Sequence, residues 1–396
     1  MSAVDRFSAV PSSRHVADAD GDPAAPASGV DAAARHILVL LHDFPAGGSE
    51  RVMIRLANRW AARGRRVTIL CGCEEGPARA EVSDAVAVMR TPREIRRGFR
   101  SRTRLGRAIA RLLPSLDADV LVAPGNFHLP VLRAVHPSPI PLVCKLSNTV
   151  ARHEGRPLRA ALFRWRLRRL SARLDLVVAI SPALAREAAA LLPGVPIRSI
   201  AQPNIADDAV VGPAKTPRQP PRLLCAGRLV PQKNVALALE TLARLDKTGA
   251  TLIIAGDGPE RADLEALTVR LNIEHRVEFR GHVPDIAPLL ETSDLLLSTS
   301  RFEGYPGVVV EALAAGVPIV TTESSPAIPE ILADPSFGRI AARDPRALAE
   351  AVDAVLEAGG PDLGKLEAAF ADNRVERSAA AWLDALDAVV RVPRRR

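Results

Sequence analysis

The chain has 396 residues, of which 47% are hydrophobic, and this length suits two domains with separate cores. No apolar run approaches the length of a membrane-spanning helix, so none is expected. One Tyr and 3% aromatic residues give little surface for stacking on bases, so nucleic acid is not an expected partner.

The first 33 residues are rich in Ala, Asp, Ser and Pro and predict a disordered arm. They lack the basic start and apolar core of a secretory signal. Four cysteines in a chain of this length do not indicate a disulfide framework. We therefore expect a protein of the reducing cytoplasm.

Residues 34–202 alternate apolar runs with helical patterns. The first strand is predicted at 36–41, and a turn at Gly47 and Gly48 leads into an amphipathic helix over about 50–63. Further strands are predicted at 67–72, Val86–Met89, Val120–Ala123, Leu142–Leu146 and Leu176–Ile180. Alternation of strand and helix predicts a doubly wound parallel sheet, a Rossmann-like lobe.

Residues 203–221 are Pro-rich without periodicity and predict a linker. The alternation restarts over 222–375 and predicts a second Rossmann-like lobe that faces the first across a cleft. Its strands are predicted at 222–227, 251–255, 277–281, 294–300 and 318–322, with helices from Asn234, Glu260 and about Val308 and a short one near Asp285. Residues 376–396 predict a C-terminal helix that packs back on the first lobe, followed by a basic tail.

Charge is divided unequally between the halves of the chain. Residues 1–200 hold 31 Lys and Arg against 17 Asp and Glu, whereas the second half holds 22 against 28. This asymmetry suggests that the two halves meet different partners.

Two cations follow the first strand of the second lobe, where open α/β sheets bind their ligands. Arg228 and Lys233 suit a diphosphate, because the guanidinium binds two oxygens and the ammonium acts as a point charge. The alternative is an ordinary solvated loop. With these cations a metal is not required, so we expect no metal and no cofactor. Three Asp-x-Asp pairs lie in the arm or at the wrong end of a strand: Asp18/Asp20, Asp20/Asp22 and Asp117/Asp119.

The segment 300–318 contains two carboxylate side chains. Glu303 lies at a loop end, and Glu311 follows eight residues later inside an apolar helix. An unpaired carboxylate in such a run costs several kcal/mol, so Glu311 needs a partner. That partner is either a structural Arg or backbone N–H, or a sugar diol.

Together these motifs resemble the retaining glycosyltransferases of family 4, which have the GT-B fold. The resemblance rests on the strand followed by "GRL" and Lys233, on "GDGP" at 256–259, and on Glu303 and Glu311 before "ALAAGVP". "GGSER" at 47–51 is similar to the glycine loop of the family's first lobe. The match covers about residues 36–390 and is strongest in the second lobe.

The resemblance implies roles for these positions. Arg228 and Lys233 would bind the donor diphosphate, Glu303 a hydroxyl of the transferred sugar, and Glu311 the ribose hydroxyls. Further donor-binding positions would be Gly47 and Gly48 across the cleft, Arg280, His282 and Val283 near the base, and Gly304, Tyr305, Pro306 and Gly307 near the sugar.

The first lobe departs from the family pattern. Many relatives carry a His after a strand there, but the corresponding strand ends in "CKLSN". His128 and His153 are the nearby candidates, and each is alternatively a plain surface His.

The resemblance implies an enzyme that moves a sugar from a nucleotide diphosphate donor to an acceptor hydroxyl. We expect UDP-sugar rather than GDP-sugar as the donor, and the charge distribution favours a glycan or lipid-diphosphate-linked acceptor. Arginine-rich stretches at 93–111 and 152–173 favour an anionic membrane surface as a further partner, peripheral on the inner face of the cell membrane. Solvated helix faces are the alternative there. Two other functions stay open: a sugar-nucleotide epimerase of the same two-lobed fold, and a non-catalytic nucleotide-sugar-binding protein.

Overall fold

The structure is a computed structural model that describes residues 33–45, 48–148, 161, 165, 167–169, 171, 173–209, 212, 218–245 and 249–392. Apart from residue 33, the predicted arm lies outside the described residues, as do Gly47, His153 and the last four residues of the basic tail. Within the described part of the chain, no helix combines the length and the apolarity needed to cross a membrane.

The first lobe is a parallel sheet with helices on both faces. Its described strands are β1 (His36–Leu40), β2 (Arg66–Cys71), β3 (Ala87–Arg90), β4 (Val120–Ala123), β5 (Leu142–Leu146), β6 (Leu176–Ala179) and β7 (Ile197–Ser199). Its described helices are α1 (Gly48–Ala62), α2 (Ser101–Leu112), α3 (Leu129–Val135) and α4 (Pro182–Leu191). The strand order is β3-β2-β1-β4-β5-β6-β7, and each pairing is parallel.

The second lobe repeats this architecture. Its described strands are β8 (Arg222–Ala226), β9 (Thr251–Ala255), β10 (Val277–Gly281), β11 (Leu295–Ser298), β12 (Ile319–Thr322) and β13 (Gly338–Ala341), in the order β10-β9-β8-β11-β12-β13. Its described helices are α5 (Val235–Leu242), α6 (Arg261–Arg270), α7 (Ala287–Glu291), α8 (Gly307–Ala314), α9 (Ile328–Ile331), α10 (Pro345–Ala358) and α11 (Leu363–Phe370), and α12 (Val375–Arg391) follows them. The prediction of two parallel Rossmann-like lobes is confirmed.

Central strands such as β1, β4 and β5 are almost continuous apolar runs because both faces of the sheet are covered there. In β1, Ile37 and Val39 enter one hydrophobic core, while Leu38 and Leu40 enter the core on the opposite face. This is the alternation expected of a strand, whose successive side chains point to opposite faces.

Helix α12 returns to the first lobe, as predicted. Trp382 packs against Trp60 of α1 with the ring centroids 5.9 Å apart, and both side chains are buried. Burial of a large apolar side chain contributes about 1.5–3 kcal/mol. Asp387 adds a paired charge, because its carboxylate accepts from both terminal nitrogens of Arg65 at 3.1 and 2.8 Å and from the Ala34 N–H at 2.8 Å.

Some elements differ from the prediction. Strand β3 is shifted one residue towards the C-terminus, and the short edge strands β7 and β13 were not predicted. Asn234 does not begin helix α5; it adopts φ 52° before Val235. Asn is among the few residues that tolerate this left-handed conformation.

Candidate functional site

Lys233 and Glu303 meet at the carboxyl edge of the second sheet. Lys233 lies in the loop between β8 and α5, and its Nζ is 2.6 Å from Oε1 of Glu303. The same carboxylate oxygen accepts from Ser300 Oγ at 2.7 Å. The stem of Lys233 crosses Gly227, where an added Cβ would lie 3.0 Å from the lysine Cε. The structure therefore brings together two residues that the sequence placed in one site.

Arg228 belongs to the same loop as Lys233 and has an exposed side chain. Its loop is fixed by close backbone packing with the "GDGP" turn, since a Cβ at Gly256 would lie 1.8 Å from the Gly227 oxygen and one at Gly258 would lie 2.3 Å from the Leu229 oxygen. The glycines of that turn thus have a packing role. They hold the loop while the Arg228 guanidinium faces solvent.

Glu311 is the fifth of the eight residues of α8 and is half-buried. Its Oε1 is 3.5 Å from Nδ2 of Asn204, which belongs to the segment between the lobes. Burial raises the pKa of Glu311 above its ordinary value, while the Asn204 amide and Arg55 act in the opposite direction. A partly desolvated carboxylate with one long hydrogen bond has capacity for further donors, such as hydroxyl groups.

Gly304 and Tyr305 connect the second lobe to the first. A Cβ at Gly304 would lie 1.9 Å from the backbone oxygen of Ser147, which follows β5. Tyr305 packs against apolar cores of both lobes, and its hydroxyl accepts from Asn373 Nδ2 at 3.0 Å. Because β5 and β11 both direct their carboxyl ends towards this contact, the two sheets face each other across the site.

The predicted donor residue Gly48 begins α1 of the first lobe, and the remaining ones lie in the second lobe. Arg280 is the penultimate residue of β10 and pairs with Glu278 at 2.8 Å. His282 is exposed, and Val283 packs against the core beneath α8. Pro306 is buried at the entrance of α8, directly before Gly307. Because only β9 lies between β10 and β8, Arg280 and His282 border the same edge of the sheet as Lys233.

His128 of the first lobe is not a surface residue, so that alternative is wrong. It is 1% exposed, and neither ring nitrogen has a hydrogen-bond partner among the described residues. Burial lowers its pKa to about 3, assisted by Arg97, His42 and Arg102. The ring is therefore neutral, and its edge contacts Phe127 with the ring centroids 5.2 Å apart.

Three polar groups near this site escaped the sequence prediction. His42 follows β1, is fully buried, and has a pKa lowered mainly by burial. Lys145 lies within β5 at 1% exposure, and burial lowers its pKa to about 8. Asn204 was part of a predicted linker. A polar residue at or near the carboxyl end of an apolar strand is the signal that points to His42 and Lys145; Asn204 has no such signal.

Two parallel sheets that face each other, with the Lys–Glu pair at one carboxyl edge, are the arrangement of a GT-B fold. The model "Glycosyltransferase Family 4" matches residues 46–204, and the model "Glycosyl transferases group 1" matches residues 220–358. The chain belongs to this glycosyltransferase family.

Similar proteins agree with this assignment. A lipopolysaccharide core biosynthesis glycosyltransferase, LpsE of Rhizobium meliloti, is 36% identical over 109 residues, which are 28% of this chain and 32% of that protein. Glycogen synthase of Mycobacterium tuberculosis is 28% identical over 81% of this chain and 86% of its own. The crystal structure of Anabaena HepE in complex with UDP and glucose superimposes with a TM-score of 0.65 at 19% identity, covering 89% and 97%.

Proposed function

We propose that this glycosyltransferase moves a sugar from a nucleotide diphosphate sugar, UDP-sugar in particular, to a hydroxyl of a glycan or lipid-diphosphate-linked acceptor, with retention of configuration. The observation that carries the proposal is the Lys233–Glu303 pair, 2.6 Å apart at the sheet edge. Glu311 lies on the following helix α8, and Arg228, in the same loop as Lys233, is exposed. In this proposal residues 222–375 bind the donor and residues 34–202 receive the acceptor.

The charged side chains of the proposed site have different roles in the reaction. Lys233 and Arg228 stabilise the diphosphate as the bond between the anomeric carbon and the phosphate oxygen breaks. Glu303, released from Lys233 by the diphosphate, accepts a hydrogen bond from a sugar hydroxyl. The acceptor oxygen bonds to the anomeric carbon on the face that the phosphate leaves, and its proton passes to the leaving phosphate, which gives a nucleoside diphosphate and a glycoside.

Similar proteins support the choice of substrates. HepE was crystallised with UDP and glucose, and LpsE is named for lipopolysaccharide core biosynthesis. These names support UDP-sugar as the donor and cell-surface polysaccharide as the product.

The test is a thermal-shift screen of UDP, GDP and their sugars, followed by product analysis with a glycan acceptor. A ligand at 100 times its Kd adds about 2.7 kcal/mol of stability. Stabilisation by a nucleotide diphosphate and its release on glycoside formation would support the proposal. Formation of a UDP-sugar isomer without acceptor would indicate an epimerase. Nucleotide-sugar binding without turnover would indicate a non-catalytic protein. The absence of any stabilisation would contradict donor binding.

We expect turnover without a divalent metal ion, because Lys233 and Arg228 provide the positive charge that a metal would supply to the diphosphate. Initial rates with and without EDTA should agree within about a factor of two, which corresponds to roughly 0.4 kcal/mol in the barrier. The control is EDTA followed by excess Mg²⁺ or Mn²⁺. Loss of activity in EDTA and its recovery with either ion would contradict the expectation.

The acceptor side carries the positive charge of the chain. Residues 34–200 hold 29 Lys and Arg against 12 Asp and Glu. Exposed aromatic rings accompany these cations: Phe99 is 85% exposed with the Arg100 guanidinium 5.1 Å from its ring centroid, and Trp165 is 51% exposed with Arg169 at 4.2 Å. Cations beside exposed rings suit an anionic membrane surface, where the lipid-linked acceptor would be presented.

Replacing four arginines by Gln (Arg164, Arg166, Arg168 and Arg169) should weaken binding to anionic vesicles at least about fivefold, which is the effect of losing only one basic residue that contributes about 1 kcal/mol near the surface. Arg164 and Arg166 lie outside the described residues. Co-sedimentation should also fall between about 0.1 M and 1 M salt, as the Debye length shortens from about 10 to 3 Å.

The control for this experiment is Arg346→Gln, an exposed residue of the second lobe. It should leave vesicle binding unchanged, and all variants should keep their affinity for the nucleotide. Equal binding of the wild type to neutral and anionic vesicles would show that these arginines are ordinary solvated residues.

A further inference from the structure

The segment from Gln202 to Ile205 crosses between the lobes and is fixed on both sides. The Pro203 oxygen accepts from Arg55 Nη1 of α1 at 2.7 Å. Ile205 donates its N–H to the Asn373 oxygen at 3.1 Å and accepts from the Val375 N–H at 3.0 Å. The Asn204 N–H donates to the Gln202 oxygen at 2.8 Å. These bonds fix the backbone at Asn204 and thereby limit the positions that its side chain can reach.

The Asn204 side chain points to the entrance of α8. Its Nδ2 is 3.5 Å from Glu311 Oε1, and a Cβ at Gly307 would lie 2.7 Å from the same nitrogen. Its Oδ1 is buried without a hydrogen-bond partner among the described residues. An unsatisfied buried polar atom costs about 1–3 kcal/mol. The Asn204 amide therefore lies with its nitrogen near the Glu311 carboxylate, although its own oxygen has no hydrogen-bond partner among the described residues.

Several charged groups act on Glu311. Arg51 and Arg55 of α1 favour its ionised form, whereas Asp285, before α7, opposes it. Burial is the largest influence and raises the pKa of Glu311, while the Asn204 amide lowers it. Within the described residues, Asn204 is the only hydrogen-bond partner of this carboxylate, and 3.5 Å is a long bond that leaves room for donors from a ligand.

We propose that Asn204 is a positioning residue for Glu311, holding the carboxylate ionised and oriented to accept hydrogen bonds from a vicinal diol. The inference rests on the proposed function, in which that diol is the ribose of the donor. Asn204 thereby sets the preference of the site for ribonucleotides over deoxyribonucleotides. A segment that joins two domains contributes directly to the binding site of one of them.

The test measures UDP and 2′-deoxyuridine diphosphate binding by calorimetry for wild type, Asn204→Ala, Asn204→Asp and the control Gln202→Ala. Wild type should prefer UDP. Asn204→Ala should weaken UDP binding at least about tenfold, the order of one hydrogen bond to a charged group, and reduce the preference over the deoxynucleotide. Gln202→Ala keeps the backbone oxygen that Asn204 uses and should bind both ligands as wild type does.

A pH profile separates positioning from a general structural defect. Glu311 binds the diol when ionised, so affinity falls as the pH drops through its pKa. Removing the Asn204 amide raises that pKa, so the fall in affinity of Asn204→Ala should begin at a higher pH than in wild type. Asn204→Asp places a second carboxylate beside Glu311, which raises the pKa of Glu311 further, so its affinity should fall at a still higher pH. A misfolded variant would lose affinity at every pH alike.

A second variant reaches the same contact without altering Asn204. The Cβ of Gly307→Ala displaces the Asn204 amide, and we expect the same change in UDP preference and pH profile. Unchanged UDP affinity and profile in both Asn204 variants, in a protein whose wild type binds UDP, would overturn the inference. Failure of the wild type to bind any nucleoside diphosphate would instead contradict the proposed function.

Discussion

Replacement of Lys233 by Ala should lower donor turnover by at least about tenfold, because a hydrogen bond to a charged group contributes about 1.5–3 kcal/mol and about 1.4 kcal/mol in the barrier is a factor of ten. The substitution also leaves the Glu303 carboxylate with Ser300 Oγ as its remaining described partner. Glu311→Ala should have a comparable effect through the ribose. Initial rates at low and at saturating donor concentration measure the effect of each substitution.

Two further variants sharpen this experiment. Lys233→Met removes the charge but keeps a stem that can lie across Gly227, so it separates charge from packing. Lys365→Ala removes a similar ion pair in the same lobe, at 2.7 Å from Asp334 but largely exposed, and should leave turnover unchanged. Near-wild-type rates for Lys233→Ala and Glu311→Ala would contradict the donor-site assignment.

Gly304→Ala should lower turnover by about a hundredfold while UDP affinity persists. Its Cβ would lie 1.9 Å from the Ser147 oxygen and 2.7 Å from the Asn148 Cα, so backbone must move apart by more than an ångström. A displacement of about 1 Å in a catalytic site costs on the order of 10²-fold. The proposed nucleotide contacts of Arg228, Lys233 and Glu311 lie within the second lobe and need not change. Steady-state rates and UDP calorimetry separate these effects.

Gly98→Ala is the matched control, because an added Cβ there meets nothing within 4 Å and the residue needs no left-handed backbone. It should match wild type in both measurements. If Gly304→Ala retained full turnover, the close approach of Gly304 to Ser147 would not belong to the reactive arrangement.

The strands were predictable where both faces are buried. The apolar runs of β1, β5 and β8 are visible in the sequence. Polar residues that follow such a run are expected at the carboxyl edge of the sheet, and Lys233 lies there. Edge strands β7 and β13 were missed, because they are short and largely exposed on their outer side. Their pairing is fixed by neighbouring strands and not by a pattern of their own.

Contacts between distant residues were not predictable. Asn204 and Glu311 are 107 positions apart, and a Pro-rich stretch without periodicity carries no sign of a side chain that enters a site. The approach of Gly304 to Ser147 depends likewise on how two independently patterned lobes meet. Lys145 was not predicted for another reason. It is a single polar residue in an apolar strand, and its burial depends on the elements that cover the sheet.

The return of α12 to α1 has a consequence for synthesis of the chain. Trp382, Leu383 and Leu386 belong to the same core as Trp60 and Val39, so this core lacks one of its walls until the ribosome has translated the second lobe and the helix after it. The first lobe is therefore the first to be made and the last to be completed. An N-terminal fragment cut between the lobes would expose Trp60 to solvent, and a first lobe engineered to stand alone needs the final helix grafted back.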